Sequence, residues 1–121
     1  MSRHLLAAML VGGLAATPAL AQTDGQTAFN NSCRTCHTMK EGDNRLGPNL
    51  AGIVGRKAGS LPDYAYSSSM KQSGITWDAA MLDQFIANPD QVVSGNAMKP
   101  YGGIADAAQR KMIVEFLQSG S

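Results

Sequence analysis

The sequence predicts an all-α protein in which helices are separated by long, glycine-rich loops. No stretch alternates apolar and polar residues in the way that a half-buried strand does. Several segments instead place apolar residues at helical spacing, and each is bounded by residues that typically start or stop a helix. The length of 121 residues is enough for one domain with a modest core.

Residues 1–21 have the parts of a secretory signal peptide. A basic start precedes an apolar stretch over residues 5–14, and the segment ends on the small residues Ala19 and Ala21. The alternative is an uncleaved membrane anchor, but two glycines and a proline interrupt the apolar segment, which is shorter than the roughly 20 residues of a spanning helix. We therefore predict a cleaved signal peptide, a single domain over residues 22–121, and export to the periplasm.

The first helix of this domain is expected over residues 25–36. Asp24 suits its N-cap, and Phe29 is the one bulky apolar residue that it offers to a core. The loop that follows, over residues 38–58, contains too many glycines for a long helix. Only short helical turns are expected there, near residues 50–54.

Two helices are expected in the middle of the chain. The first covers residues 66–73, and Gly74 ends it. Thr76 suits the N-cap of the second, over residues 77–87, which the following Asn-Pro pair terminates. The apolar positions of the second helix are Leu82, Phe85 and Ile86.

The last helix is expected to begin after Asp106. Gln109 follows three residues later, as in a capping box, and Gly120 suits the end of the helix. Its apolar stripe consists of Ala108, Met112, Ile113, Phe116 and Leu117.

The run Cys33-Arg34-Thr35-Cys36-His37 has the Cys-x-x-Cys-His spacing by which a chain attaches a c-type haem. Each thiol can form a thioether to a haem vinyl group, and the adjoining imidazole can bind the iron. A disulfide or a thioredoxin-like redox pair is the alternative interpretation of the two cysteines. Structural zinc needs four Cys or His ligands, and the chain after residue 21 has three. The motif predicts one covalent haem c, with His37 as first axial ligand.

The iron then has either a second protein ligand or an open site, and His37 is the only histidine after residue 21. Met98 lies in a loop among glycines and a proline, where its backbone is free to approach a haem edge. Its thioether is a soft, neutral ligand that raises the reduction potential of a cytochrome. Met70 is the rival candidate, whereas Met39 lies too close to His37 in sequence. We predict His37 and Met98 as the metal ligands.

From about residue 24 to residue 119, the chain resembles the class I cytochromes c, the monohaem electron carriers of bacteria and mitochondria. The resemblance rests on the haem motif and on further segments that follow it in order at nearly the expected separations. These are Gly47-Pro48-Asn49-Leu50, Gly55-Arg56-Lys57, Tyr64-Ala65-Tyr66, Gly74-Ile75-Thr76-Trp77, Asn88-Pro89, and Met98 with Gly103-Ile104 behind it. It implies a small class I cytochrome c fold, in which helices and long loops wrap around one covalently bound haem c and the N- and C-terminal helices cross.

The same resemblance implies roles for further cofactor-binding residues. Pro48 accepts the ring proton of the histidine ligand with its carbonyl and so orients the imidazole. Arg56, Tyr66 and Trp77 hydrogen-bond or screen a buried haem propionate. Phe85 packs beside the methionine ligand.

The resemblance also implies that Gly25 and Phe29 of the first helix cross Ile113 and Phe116 of the last. The glycine allows the two backbones to approach closely.

Simpler interpretations exist for some of these residues. Trp77 can be an ordinary core residue, and Arg56 and Lys57 can be a solvated pair in a glycine-rich loop. The loop after Met98 is one residue longer than in the mitochondrial pattern, so the resemblance gives no conformation for residues 99–103.

The ligand set predicts a soluble periplasmic one-electron carrier and not an enzyme, because iron bound on both sides leaves no vacancy for a substrate. Expected partners are redox proteins: a membrane complex or periplasmic dehydrogenase as donor, and an oxidase or reductase as acceptor. The alternatives are a dedicated cytochrome subunit of a periplasmic oxidoreductase and a ligand-binding or peroxidatic haem protein. We expect a monomer that is not inserted in a membrane after cleavage.

Charge composition bears on these partners. Ten Lys and Arg residues are balanced by nine Asp and Glu residues, and cleavage would remove Arg3 and leave nine of each. The interspersed charges do not form the basic stripe of nucleic-acid-binding proteins. With few lysines, electrostatic steering should be weak, and apolar contact near the haem edge should matter more.

Overall fold

The computed structural model describes residue 12 and residues 18–120, with side chains from residue 24 onward. In chain order the helices are α1 (Pro18–Ser32), α2 (Ser68–Gln72), α3 (Ala79–Ala87), α4 (Pro89–Val92) and α5 (Ala107–Ser119). Over this part of the chain there is no strand, and one isolated antiparallel bridge joins Lys57 to Thr76. The all-α prediction is confirmed. Residues 1–21 lie mostly outside the described residues, so the signal peptide and its cleavage both stay predictions.

Helix α1 differs from its predicted bounds at both ends. It begins at Pro18, so Asp24 lies inside the helix and is not its N-cap. The alanines and glutamine before Asp24 favour helix and carry it across this position. The helix ends at Ser32, and the haem motif forms a turn whose first amide, that of Cys33, donates to Phe29 O at 2.7 Å.

Ser67 and Asp78 are the N-caps of the two middle helices; no N-cap was predicted for the first, and Thr76 was predicted for the second. The Ser67 hydroxyl accepts the Met70 amide at 3.1 Å and starts α2. Asp78 Oδ1 accepts the Met81 amide at 2.7 Å, so Asp78 caps α3. The predicted cap, Thr76, is instead held in the bridge to Lys57. Both helices are therefore shorter than predicted.

Pro89 ends α3 and also begins α4, a short helix that was not predicted. Proline is favoured at the first helical position because its fixed φ suits the helix and its missing N–H has no partner to lose there.

Helix α5 has the predicted ends. Asp106 Oδ1 accepts the amides of Ala108 and Gln109 at 2.9 Å and 3.3 Å, and Gly120 closes the helix at φ +76°. The predicted capping box is incomplete, because the Gln109 side chain is 3.4 Å from the Ser32 hydroxyl of α1.

The core forms where α1 crosses α5, and α3 also packs against α5. A Cβ on Gly25 would lie 2.8 Å from Met112 O and 2.9 Å from Phe116 Cβ, so only glycine permits this crossing. The Phe29 and Phe116 rings pack with centroids 5.2 Å apart, and Ile113 is fully buried. The predicted crossing of the terminal helices is confirmed.

Candidate haem-binding site

The two cysteines lie in the turn that follows α1. The amides of Cys36 and His37 donate to Cys33 O at 3.1 Å and 2.9 Å, which places thiols and imidazole on one tight turn. Both thiols are free and half-buried. Burial, reinforced by Cys36, raises the pKa of the Cys33 thiol to about 11. Cys33 is therefore a neutral thiol at pH 7, next to apolar core residues.

The imidazole of His37 is buried and oriented by one hydrogen bond. Nδ1 lies 2.7 Å from Pro48 O, and because a carbonyl only accepts, Nδ1 carries the proton. Burial lowers the pKa of the ring, which favours the neutral imidazole. Nε2 then has its lone pair available for a metal, and the carbonyl behind Nδ1 fixes the ring orientation.

Gly47 provides the surface on which this ring rests. A Cβ at residue 47 would lie 2.3 Å from Cε1 of His37 and 2.7 Å from its Nδ1. The amide of Gly47 also donates to Cys36 O at 2.8 Å, which ties the loop to the haem motif. The sequence suggested only a loop glycine here, since nothing in the spacing reveals which ring it touches.

Leu46, beside Gly47, is the most exposed large apolar side chain among the described residues, at 77%. Its carbonyl accepts the Tyr64 hydroxyl at 2.7 Å, so the backbone is held while the side chain faces solvent. The exposed side chain therefore lies on a fixed backbone, directly before Gly47 and Pro48, which contact the ring of His37.

Oxygen atoms of the loop surround the guanidinium of Arg56. Nη1 donates to Asn49 O at 2.7 Å, and Nη2 donates to the Ala51 carbonyl and lies 3.5 Å from Asn49 Oδ1. Glu41 and Asp63 line the same open cleft of about 500 Å³ but do not pair with Arg56. The ion pairs of the described residues are Arg45–Asp43, Lys99–Asp90 and Arg110–Asp83.

The pKa of Arg56 is lowered by burial, yet an arginine stays charged at any physiological pH. A half-buried cation without a carboxylate partner can accept an acidic group of a ligand, such as a propionate. The propionate role of Arg56 stays a prediction, with the solvated pair beside Lys57 as its alternative.

The predicted aromatic residues form two pairs. Trp77 is buried against Phe85, edge to face, with ring centroids 5.0 Å apart. Tyr66 packs edge to face on Tyr64 at 4.8 Å, and its hydroxyl accepts the Leu61 amide at 3.4 Å. Burial raises the pKa of Tyr66, while nearby Arg56 acts in the opposite direction, so these two predicted residues interact electrostatically.

Met98 lies in the loop between α4 and α5, partly buried against the core. Its amide donates to Asn96 Oδ1 at 2.9 Å. The loop after it turns back on α3, where the Tyr101 hydroxyl donates to Ile86 O. Met70 is also partly buried against the core, so burial alone does not distinguish the two candidates.

The donor set fits haem and not a free metal ion. Among the residues that the structure describes, no three His, Cys, Asp or Glu side chains cluster to hold an ion. One oriented imidazole and two neighbouring thiols suit an iron whose equatorial ligands come from a covalently attached macrocycle. Methionine sulfur is also a suitable axial donor for such an iron.

Comparison with known proteins agrees with this donor set. The sequence model of the cytochrome c family matches residues 22–121. The chain is 41% identical to cytochrome c2 iso-1 of Magnetospirillum fulvum over 97 residues, which cover 79% of this chain and 97% of that protein. It is 37% identical to cytochrome c of Arabidopsis thaliana over 95 residues, 78% of this chain and 84% of the relative.

A solved structure is similar as well. Cytochrome cH from Methylobacterium extorquens matches with a TM-score of 0.74 at 38% identity, covering 81% of this chain and 97% of the other. In the described part of the chain, no helix is long and apolar enough to cross a membrane.

Proposed function

Because the chain belongs to the cytochrome c family, we propose that it is a soluble periplasmic one-electron carrier whose haem iron is bound by His37 and Met98. Membership of the family establishes the coarser facts: an electron-transfer protein, not an enzyme, with one covalent haem c. The axial ligands, the compartment and the carrier's partners belong to the proposal.

The haem supplies a reversible one-electron change at its iron. The residues of the chain bind the haem and determine the polarity around it. The observation that carries the proposal is the hydrogen bond between His37 Nδ1 and Pro48 O, which leaves Nε2 of a buried, neutral ring to bind the iron. Cys33 and Cys36 are proposed to form the two thioethers, and their position on the same turn supports this.

Met98 is proposed as the second ligand because its loop, unlike the backbone around Met70, is free of regular helix. Met70 lies within α2, and its amide and carbonyl are both bonded to serine side chains. The Met98 loop instead contains glycines on both sides, and Gly95 adopts φ +83°. A loop of this kind can present a thioether to the haem iron.

Arg56, Tyr66 and Trp77 are proposed to receive a haem propionate. The guanidinium of Arg56, which forms no ion pair with the described carboxylates, supports this, because a buried anion needs a cation or several donors. Phe85 is proposed to exclude water beside the methionine ligand, and its burial against Trp77 supports that role.

The signal-like segment over residues 1–21 supports periplasmic location, and redox proteins remain the expected partners. A dedicated subunit would co-purify with its enzyme in fixed stoichiometry from native extracts, whereas a free carrier would purify alone.

Met98→Ala tests the ligand assignment, with Met70→Ala as the matched control. We expect Met98→Ala to lower the reduction potential, remove the weak long-wavelength sulfur-to-iron band of the oxidised protein, and let the ferrous form bind carbon monoxide. Met70→Ala should keep all three properties of the parent. If Met70→Ala alone opens the site, the ligand is Met70, and if neither variant does, the proposed coordination is wrong.

A further inference from the structure

Asn96 is buried, at 5% exposure, and both ends of its amide are used. Its Oδ1 accepts the amide of Met98 at 2.9 Å. Its Nδ2 donates to Val93 O at 2.9 Å and to Asp90 Oδ1 at 2.9 Å. The orientation of the amide is determined, because the Met98 N–H needs an acceptor and the Asp90 carboxylate, which only accepts, needs a donor.

Asp90, in the first turn of α4, holds a second residue of the same loop. Lys99 Nζ lies 2.6 Å from Asp90 Oδ1 and 2.7 Å from Oδ2. The ammonium of Lys99 and then the Asn96 amide hold the pKa of the Asp90 carboxyl below its usual range. One exposed carboxylate thus binds a residue before Met98 and the residue directly after it.

We call Asp90, Asn96 and Lys99 the Asp90 clasp. Two backbone hydrogen bonds within this stretch are local: Asn96 N donates to Val93 O at 3.2 Å, and Lys99 N donates to Ala97 O at 2.9 Å. These bonds shape the loop but do not fasten its tip to a helix. The Asp90 clasp fastens the loop to α4, because Asp90 of the helix binds Asn96 before Met98 and Lys99 after it.

We propose that Asp90 and Asn96 are positioning residues that fix the backbone of Met98 and so keep its sulfur at the haem iron. The inference rests on the proposed function, since it takes Met98 as the ligand. Asn96 acts directly on the Met98 amide, and Asp90 acts through Asn96 and Lys99. Neither side chain binds the cofactor in this arrangement, because both ends of the Asn96 amide are already occupied.

The test uses the intact haem protein with the substitutions Asn96→Asp, Asp90→Ala and Lys99→Ala. Asn96→Asp keeps an acceptor for the Met98 amide but loses the donor and places a carboxylate against Asp90. Asp90→Ala removes both anchors on α4, and Lys99→Ala removes the ion pair alone. Asp106→Asn is the control for Asp90→Ala. It also removes one negative charge, but at an exposed helix cap where asparagine caps equally well.

The readouts are hydrogen exchange at the Met98 amide by NMR, the sulfur-to-iron band, and the affinity of the ferrous protein for carbon monoxide. We expect exchange to quicken about tenfold in Asn96→Asp and about threefold in Asp90→Ala, as the loss of ordinary hydrogen bonds implies. The band should weaken and carbon monoxide affinity should rise in the same order. Lys99→Ala should show the smallest change, and Asp106→Asn none.

If Asp90→Ala keeps the parent's exchange rate at the Met98 amide and its sulfur-to-iron band, the proposed role of the Asp90 clasp is wrong. Since Asp90 is exposed, this variant decides the question even if Asn96→Asp does not fold. A general loss of stability that leaves the band and carbon monoxide affinity intact would also overturn it, because positioning predicts changes at the sulfur. Failure of the proposed function is seen separately, as a Met98→Ala variant that keeps the parent's band.

Discussion

Replacing Gly47 by alanine tests whether the histidine ring is positioned by the loop behind it. Gly47 is not among the glycines with positive φ, so alanine introduces no backbone strain at this position. The only new group is a Cβ, and it would lie 2.3 Å from His37 Cε1. Apart from the lower entropy of the unfolded chain, which every Gly→Ala change brings, the effect of Gly47→Ala therefore comes from the contact between this methyl group and the imidazole.

The size of the effect follows from the distances. An ordinary van der Waals contact begins near 3.4 Å, so the ring and the loop must separate by about 1.1 Å, the difference between 3.4 Å and 2.3 Å. A movement of that size breaks the bond of 2.7 Å between Nδ1 and Pro48 O. Overpacking costs about 1 to 3 kcal/mol and the lost hydrogen bond about 1 kcal/mol. We expect the free energy of unfolding to fall by about 2 to 4 kcal/mol.

Denaturant unfolding of the haem protein, followed by circular dichroism and by haem absorbance, measures this loss. Gly102→Ala is the matched control, since a Cβ there meets nothing within 4 Å and the residue needs no positive φ. The reduction potential should also change in Gly47→Ala, because the imidazole loses its fixed carbonyl partner. An unfolding free energy and a potential equal to those of Gly102→Ala would refute the reasoning.

Three further predictions follow from the fold and the site. Gly25→Ala should lower the free energy of unfolding by about 1 to 3 kcal/mol in chemical denaturation, because its Cβ would meet Met112 O at 2.8 Å; an unchanged value would mean that α1 and α5 separate without cost. Replacing both Cys33 and Cys36 by alanine should leave a largely unfolded chain by circular dichroism, since so small a domain needs the haem in its core; a helical apo-protein would contradict this. Electron-transfer rates with a redox partner should depend only weakly on ionic strength, because basic and acidic residues are nearly balanced in number; a steep decline with added salt in stopped-flow measurements would show strong steering.

The features that the sequence predicted best depend on local chemistry. The haem motif is a covalent requirement within five residues, and Asp106 and Gly120 bound α5 because each acts on its own helix end. The crossing of α1 and α5 was predicted through a resemblance, and Gly25 fits it because no larger residue can.

The errors arose where two capping candidates compete or where partners are distant in sequence. Thr76 and Asp78 both suit an N-cap, and the bridge to Lys57 engages the threonine in another contact. Asp90 and Asn96 meet because α4 forms at Pro89, and that helix was not predicted. No spacing rule connects a helix residue with loop residues six and nine positions later.

The exposed side chain of Leu46 bears on the heat-capacity change of any complex that covers it. Its side chain is 77% exposed while Tyr64 holds its carbonyl, so a partner can cover it without reordering the backbone. Covering apolar surface removes ordered hydration and makes the heat-capacity change of association negative. A complex that covers Leu46 will therefore bind with an enthalpy that becomes more favourable on warming. Leu46→Ser will make this temperature dependence of the binding enthalpy smaller.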